Sequence, residues 1–271
     1  MIRRIILSLA VAAILLPAQQ PQQPQAPRRK RLLCIGAVKG FQHDATSHGL
    51  ATLWKIGRET GLWDTYIRTD TQLITKKKLR DNAKNLDYFD AIVFYTTGEL
   101  DMDASQKADL LSFVKEDGKG FIAVHSGIDT FYEWPEYGEM TGGYFDLHPW
   151  NQFQAPVIVE DAASPMTAHF PKELTIHDEI YQVKNFSRDR VRVLMSLDSS
   201  KLDLTNKNVR RTDKDFALTW IRDYGKGRVF YSTFGHREDA WNRPDIQKMY
   251  LEAVKWAMGL TKADATPRPK Q

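Results

Sequence analysis

The chain has 271 residues, of which 42% are hydrophobic and 27% charged, and its formal net charge is +4. Basic residues are concentrated near both termini, so the body of the chain is close to neutral and no basic stripe favours nucleic acid as a partner. The single cysteine, Cys34, excludes an intrachain disulfide, and its apolar neighbours predict a buried packing role.

Residues 1–18 have the pattern of a secretory signal peptide. A basic start, Met1-Ile-Arg-Arg4, precedes an apolar segment that ends at Pro17 and is followed by Ala18. That segment is too short to predict a stable membrane span. Residues 19–30 predict a disordered leader and residues 261–271 a disordered tail, because neither can bury much apolar surface. We therefore expect an exported, periplasmic or extracellular protein with one domain over residues 31–260.

The first half of that domain alternates apolar strands with helices. Strands are predicted at 32–37, 65–69, 90–95 and 120–124, and helices at 45–60, 73–82 and 104–115, the last with Asp103 as its N-cap. This order predicts right-handed crossovers and a mostly parallel sheet. Functional residues are then expected at the carboxyl ends of the strands.

The second half is predicted to be richer in strands. They fall at 155–160, 176–184, 191–197, 216–223 and 227–233, and a helix at 246–258 closes the domain. A long segment at 129–150 joins the two halves and is rich in aromatic residues, which suit the apolar faces of sugar rings. An aromatic cluster packed beneath a long loop would explain the same composition equally well.

The central sequence feature is the segment Gly120-Phe-Ile-Ala-Val-His125-Ser-Gly127. A buried strand that runs directly into small and polar residues is typical of a nucleophile elbow. Here the elbow would present His125, which is a poor covalent nucleophile but a good general base or metal ligand. The alternative is a strand-end histidine that only bonds to a neighbouring loop.

Other histidines follow predicted strands, so they are expected near the same sheet edge. His43, His125 and His236 could converge with the carboxylate of Glu179, a set that suits a divalent metal such as Zn²⁺. No tight local metal-binding motif is present. Without a metal, the same histidines with Asp129, Asp178 or Glu179 could perform acid–base chemistry. His48 and His169 are interpreted as surface or capping residues.

Several motifs occur in a fixed order along the domain. They are His125-Ser-Gly-Ile-Asp129, Tyr137-Gly, Gly142-Gly-Tyr-Phe with His148-Pro-Trp150, Asp178-Glu-Ile-Tyr181, and Gly225-Lys-Gly-Arg-Val-Phe-Tyr231 with Gly235-His236. Together they resemble the trehalose-utilisation (ThuA-like) family. The resemblance covers about residues 32–260. It implies an α/β, flavodoxin-like fold of the class I glutamine amidotransferase type, with a mostly parallel central sheet and added strands in the C-terminal half. It also implies a link to carbohydrate metabolism, including keto-sugars.

The sequence departs from true amidotransferases at the elbow. Their nucleophilic cysteine is replaced by His125, whereas His236-Arg-Glu238 is similar to their His-x-Glu pair. Ser126 lies one residue away from the elbow position and is not expected to replace the thiol. Glutamine hydrolysis through a thioester is therefore not expected.

Our leading hypothesis from the sequence is an exported enzyme that acts on a glycoside or keto-sugar. The expected catalytic residues are His125, His236, Glu179 and Asp129. The expected substrate-binding residues are His43, Tyr137, His148, Trp150 and Tyr181. A weak metal site would use His43, His125 and His236.

Two alternatives stay open from the sequence. The first is a non-catalytic scaffold that binds glycans or partner subunits through the aromatic segment, including Trp134 and Trp150. The second is a metal-dependent hydrolase of a non-sugar substrate. The expected partner is a small-molecule carbohydrate, and a homo-oligomer is also possible.

Overall fold

The computed structural model describes residues 28–81 and 84–270. The predicted signal peptide and residues 19–27 of the predicted leader lie outside the described residues. Within the described ranges, no helix combines the length and apolar character that crossing a bilayer requires.

Strands and helices follow one another along the whole described domain. The strands are β1 (Lys30–Ile35), β2 (Trp63–Arg68), β3 (Ala91–Phe94), β4 (Gly120–Val124), β5 (Tyr144–Leu147), β6 (Gln152–Val159), β7 (Glu173–Glu179), β8 (Gln182–Lys184), β9 (Arg192–Leu197), β10 (Ala217–Tyr224) and β11 (Gly227–Ser232). The helices are α1 (Ala45–Thr60), α2 (Ala104–Lys115), α3 (Pro135–Thr141), α4 (Glu238–Trp241) and α5 (Pro244–Ala257).

One large mixed sheet organises the domain. Its strand order is β2-β1-β3-β4-β11-β10-β9-β6-β7, and the first five strands are parallel. The remaining strands pair antiparallel, and β5 and β8 form a separate two-stranded sheet. The predicted α/β fold class is confirmed, including the parallel centre and the added strands of the C-terminal half.

The central strands are buried on both faces, which explains their continuous apolar sequences. Along β1, Leu32 and Cys34 enter one core cluster, whereas Leu33 and Ile35 enter the other. Successive side chains point to opposite faces of a strand, so each central strand contributes to two layers. The first cluster includes residues of α1 and α5, and the second includes residues of α2 and α3.

The predicted start of α2 is confirmed. The Asp103 side chain accepts a hydrogen bond from the backbone N–H of Gln106, and the Gln106 side chain accepts one from the backbone N–H of Asp103. This reciprocal capping box satisfies two backbone donors that a helix leaves unpaired at its N-terminus. Such a cap typically stabilises a helix by about 1 kcal/mol.

Two secondary-structure predictions are wrong. The described part of segment 73–82 forms turns instead of a helix, because Asp109 accepts hydrogen bonds from the Thr75 hydroxyl and the Lys76 backbone N–H. Three consecutive lysines in this segment also repel one another. The predicted strand 176–184 is interrupted after Glu179, so that β7 and β8 belong to different sheets.

Two segments expected to be irregular or disordered are ordered by packing. The aromatic segment 129–150 contains α3 and β5. The described part of the predicted disordered tail packs against the domain, where Ala265 is buried and Asp264 accepts a 2.8 Å hydrogen bond from Arg192. Arg268 also donates to the backbone carbonyl of Glu160. Local composition did not reveal these tertiary contacts.

Candidate active site

A sharp turn at the end of β4 presents His125. Its φ of 44° lies in the left-handed region, which a non-glycine residue adopts at the cost of strain. A Cβ on Gly127 would lie 2.6 Å from the carbonyl oxygen of Phe94, so the turn requires glycine there. The Tyr137 hydroxyl donates a 2.5 Å hydrogen bond to the Gly127 carbonyl. Tyr137 is fully buried and supports the turn, and it does not line either of the two cavities described below.

His125 is fully buried and has a fixed tautomer. Its Nδ1 lies 2.6 Å from the backbone carbonyl oxygen of Thr233, which can only accept, so Nδ1 carries the proton. Burial lowers the pKa of His125, although the Glu179 carboxylate, which can accept a hydrogen bond from the protonated ring, opposes that shift. A neutral His125 therefore presents the lone pair of Nε2 to the interior of the site.

Glu179 and His236 complete a triangle with His125. Nδ1 of His236 lies 3.1 Å from Oε2 of Glu179 and 3.2 Å from Nε2 of His125. Nε2 of His125 lies 3.5 Å from the same carboxylate oxygen. Burial raises the pKa of Glu179, but the interactions of its carboxylate with the His125 and His236 rings outweigh burial and hold that pKa well below its usual range. The carboxylate is consequently ionised at neutral pH.

His43 is the fourth residue of the site. Its ring centroid lies 4.9 Å from that of His125 and 5.1 Å from that of His236. Burial and the two neighbouring imidazoles lower the pKa of His43 to about 3. One ligand atom from each of His43, His125, Glu179 and His236 lies within 4.8 Å of the other three. These four residues form the His/Glu cluster.

Buried polar contacts hold the His/Glu cluster in place. Asp178 accepts a 2.7 Å hydrogen bond from the Gly235 backbone N–H and a 2.9 Å bond from that of Glu179. Burial raises the pKa of Asp178 to about 7, and these backbone bonds limit the shift. The Tyr181 ring packs 4.2 Å from the His125 ring, and its hydroxyl lies 3.3 Å from Nε2 of His43. Tyr181 thus positions two members of the cluster.

Two adjoining cavities open onto the His/Glu cluster. The first has a volume of about 540 Å³ and is bordered by Phe41, His43, Asp129, Phe145, His148, Asn151, Gln152, Glu179, Tyr181 and His236. The second has a volume of about 690 Å³ and shares four of these residues, namely Phe41, His43, Gln152 and His236. The cluster therefore lies where the two cavities meet.

Two further predicted residues line the first cavity. Nδ1 of His148 lies 3.0 Å from Oδ1 of Asn151 and 3.8 Å from Oε1 of Glu179. Asp129 accepts a 2.5 Å hydrogen bond from the Tyr132 hydroxyl. Burial raises the pKa of Asp129, against the effect of that hydrogen bond. Both side chains can exchange protons with a molecule bound in the cavity.

Other candidates lie away from the cavities. Trp150 packs against Phe216 and donates a 3.0 Å hydrogen bond to the Asp203 carbonyl, so its predicted role in binding substrate is wrong. Trp134 is buried, which leaves no aromatic platform of Trp134 and Trp150 for a glycan. His48 bonds to Asn242 and His169 to the Asp245 carbonyl, as expected of surface or capping residues.

Comparison with known proteins identifies the family. A family model described as ThuA, trehalose utilisation, matches residues 31–257. The chain belongs to the ThuA family. No curated protein matches the chain significantly.

Solved structures resemble this ThuA chain along most of its length. A ThuA-like protein from Bacteroides uniformis is 21% identical, with a TM-score of 0.70, over 88% of this chain and 95% of that one. A ThuA-like protein from Parabacteroides merdae is 15% identical, with a TM-score of 0.67, over 89% of this chain and 98% of that one. A cytoplasmic protein from Salmonella typhimurium is 13% identical, with a TM-score of 0.53, over 84% and 98% respectively. At these identities the likeness concerns the fold, which is of the class I glutamine amidotransferase type.

The thiol chemistry of amidotransferases has no counterpart in this ThuA chain. The elbow residue is His125, and the single cysteine, Cys34, is fully buried in β1. Burial also raises the pKa of the Cys34 thiol, so it is not available as a thiolate. Ser126 is buried beneath the turn, away from the open cavities. A thioester on glutamine is therefore excluded.

Sequence reasoning missed four residues that line the first cavity: Phe41, Phe145, Asn151 and Gln152. Phe41 is 65% exposed and borders both cavities, so its ring is accessible to a bound molecule. Its place in the loop after the first predicted strand, two residues before His43, was a usable signal. Gln152 lies at the first position of β6, and nothing in its local sequence distinguishes it.

Proposed function

We propose that this ThuA-family chain is an enzyme that acts on a glycoside or keto-sugar bound across the two cavities. The observation that carries the proposal is the position of the His/Glu cluster at their junction. A substrate of two linked units would place one unit in each cavity and the bond between them beside the cluster. Membership of the family supports carbohydrate utilisation as the physiological context.

The lining of the first cavity suits a sugar. Phe41 and Phe145 offer apolar faces, and sugar rings have apolar faces of similar size. Asn151 and Gln152 offer amides that can bond to hydroxyl groups at the ring edge. A few placed polar groups on an otherwise apolar wall are typical of small-molecule sites.

Proton transfer is the chemistry that the His/Glu cluster supports best. The Glu179 carboxylate is ionised, and its Oε1 lies 3.8 Å from Nδ1 of His148. Asp129 lies in the same cavity with a raised pKa, which brings it closer to the working range of a general acid or base. We assign Glu179, His125 and His236 to the reacting centre and Asp129 to proton exchange with the substrate.

A substrate screen tests this proposal. The purified protein would be incubated with a panel of glycosides and their keto forms, and products would be separated by chromatography. We expect turnover of at least one class. A Phe41→Ala variant should raise the KM about tenfold or more, because a stacking face is lost, while Trp54→Ala should not change it. Trp54 is also an exposed aromatic, but it lies on α1 away from the two cavities. Absence of both turnover and sugar binding would refute the proposal.

We also propose export, on the basis of the signal-peptide pattern in residues 1–18. The full chain would be expressed in a bacterial host and its mature N-terminus determined by mass spectrometry. Cleavage near Ala18, with the protein recovered outside the cytoplasm, is the expected result. An intact Met1 in a cytoplasmic product would contradict it.

A further inference from the structure

The His/Glu cluster contains more acceptors than protons. The only ring N–H of neutral His125 is on Nδ1, which donates a hydrogen bond to the Thr233 carbonyl, so Nε2 presents a lone pair. That lone pair faces Oε2 of the Glu179 carboxylate at 3.5 Å. Nδ1 of His236 lies within hydrogen-bond distance of both acceptors, so a single His236 proton has to serve the two of them. A cation bound among these atoms would satisfy all of them at once.

The distances between donor atoms favour a metal ion over a proton. The triangle of His125 Nε2, His236 Nδ1 and Glu179 Oε2 has sides of 3.1, 3.2 and 3.5 Å. A tetrahedral Zn²⁺ ion with bonds of about 2.0–2.1 Å keeps neighbouring ligand atoms about 3.3–3.4 Å apart. A proton bridges two atoms, whereas the four donor atoms of the His/Glu cluster converge on one another within 4.8 Å.

We propose that His43, His125, His236 and Glu179 bind one divalent transition-metal ion, with Zn²⁺ as the ion that the donor set suits best. Imidazole nitrogens are borderline donors, and Ca²⁺ and Mg²⁺, which prefer oxygen ligands, do not favour a set with three of them. The cavities border the His/Glu cluster, so substrate oxygen atoms can approach the ion. Binding of the ion is inferred from the donor geometry alone, and its role in catalysis rests on the proposed function.

One ligand is already oriented as a metal site requires, and a second requires its amide partner to rotate. The Thr233 carbonyl fixes the His125 tautomer. A backbone carbonyl of this kind is a usual outer partner of a metal-bound histidine. Nε2 of His236 lies 2.9 Å from the Gln152 amide, whose Oε1 accepts from Arg237. Coordination through Nδ1 of His236 places a proton on Nε2, so the Gln152 carboxamide rotates to present its oxygen. Arg237 retains its ion pair with Asp239 in either case.

A divalent ion held by these four residues would polarise a sugar carbonyl or hydroxyl oxygen that adds to it as a fifth ligand. The role of the chain is then divided. The His/Glu cluster holds the ion, while Asp129 and His148 are left to move protons to and from the substrate. Phe41 and Phe145 hold the sugar ring against the site.

Metal binding can be tested without any substrate. The purified chain would be stripped with a chelator and titrated with Zn²⁺ by calorimetry, and with Co²⁺ by visible absorption. We expect one ion per chain, a rise of several degrees in Tm on adding Zn²⁺, and a Co²⁺ spectrum typical of four-coordination.

Matched variants locate the site. His236→Gln, whose side chain is partly exposed, should keep the fold and weaken Zn²⁺ binding about 100-fold or more. His177→Gln is the control, because His177 pairs with Asp239 and is not a member of the His/Glu cluster. It should bind Zn²⁺ as the parent does. Absence of a stoichiometric ion, or equal loss in both variants, would overturn the proposal.

The same preparation separates this inference from the proposed function. Sugar turnover that is unchanged in the metal-free protein would overturn the catalytic role of the ion and leave the carbohydrate function standing, whereas failure to bind a stoichiometric ion would overturn the metal site itself. One tightly bound ion in a protein that neither binds nor converts any sugar would support the metal site and refute the carbohydrate function.

Discussion

Nε2 of His125 and Oε2 of Glu179 lie 3.5 Å apart. Both atoms are acceptors, because the only ring N–H of neutral His125 is on Nδ1 and donates a hydrogen bond to the Thr233 carbonyl. The elbow that carries a thiol in amidotransferases thus presents a lone pair towards a carboxylate. This arrangement is unsuited to covalent catalysis and suited to holding a cation or exchanging a proton. The chemistry proposed for the site follows from the proximity of these two acceptors.

Asp178 should be important for the stability of the site. An Asp178→Ala variant leaves the backbone N–H groups of Gly235 and Glu179 buried without their acceptor. We expect the free energy of unfolding to fall by about 1–3 kcal/mol for each unpaired group. Asp178→Asn keeps one acceptor oxygen and should cost less. Urea denaturation at pH 8 measures both variants, and equal losses would contradict the proposed hydrogen-bonding role.

Arg188 should be the most stabilising of the charged residues remote from the site. Its guanidinium bonds to both oxygens of Glu160 and both oxygens of Asp215, and all three side chains are buried. Arg188→Met leaves the Glu160 carboxylate without its cation and Asp215 with only Lys270 at 3.9 Å, so we expect a loss of about 3–5 kcal/mol. The exposed pair of Lys55 and Glu59 is the control, since Lys55→Met should change stability by less than about 0.5 kcal/mol. Similar effects of the two substitutions in urea denaturation would contradict this prediction.

Stability of the metal-free protein should fall as the pH falls below about 6.5. The pKa of His43 is lowered from 6.5 to about 3 in the folded state, so over that range only the unfolded chain binds the proton. The pKa of His125 shifts in the same direction. Asp178 acts oppositely, because its pKa is raised to about 7 and the folded state keeps its proton. The lowered pKa of Glu179 adds to the loss as the pH nears 4.5, and the raised pKa of Asp129 opposes it. A net difference of one proton corresponds to about 1.4 kcal/mol per pH unit, which sets the order of magnitude of the slope.

Thermal unfolding between pH 4.5 and 6.5 in the presence of a chelator measures this slope. A His43→Gln variant removes one of the two histidine contributions, so its Tm should depend much less on pH in that range. The same slope in the parent chain and in the variant would show that burial of His43 is not the cause.

Most of the fold could be predicted from the sequence because its signals are local. Continuously apolar segments specify the buried strands, and alternation with helices specifies the parallel order. Because parallel strands end at one sheet edge, the sequence could also suggest that His43, His125 and His236 approach one another. The segment 73–82 was mispredicted because Asp109, a residue distant in sequence, bonds to its backbone.

Residue type alone could not distinguish cavity from core. Tyr137 and Trp150 lie in the same aromatic segment as Phe145, yet only Phe145 lines the first cavity. Burial of Tyr137 depends on its bond to the Gly127 carbonyl, which is a tertiary contact. The hydrogen bond between Asp178 and the Gly235 backbone N–H is likewise a contact between distant segments. The sequence could therefore identify Asp178 and Glu179 as candidates, but it could not assign a separate role to each carboxylate.

The most direct test of the central claim is turnover by a His125→Asn variant. Asparagine tolerates positive φ, so the elbow at 44° should form and the Tm should remain close to that of the parent chain. We expect the kcat of this variant, measured with the best substrate of the glycoside and keto-sugar panel, to fall by about 100-fold or more. Trp150→Ala, which changes a residue outside the cavities, should stay within a few-fold of the parent. A folded His125→Asn variant with the kcat of the parent chain would contradict the account.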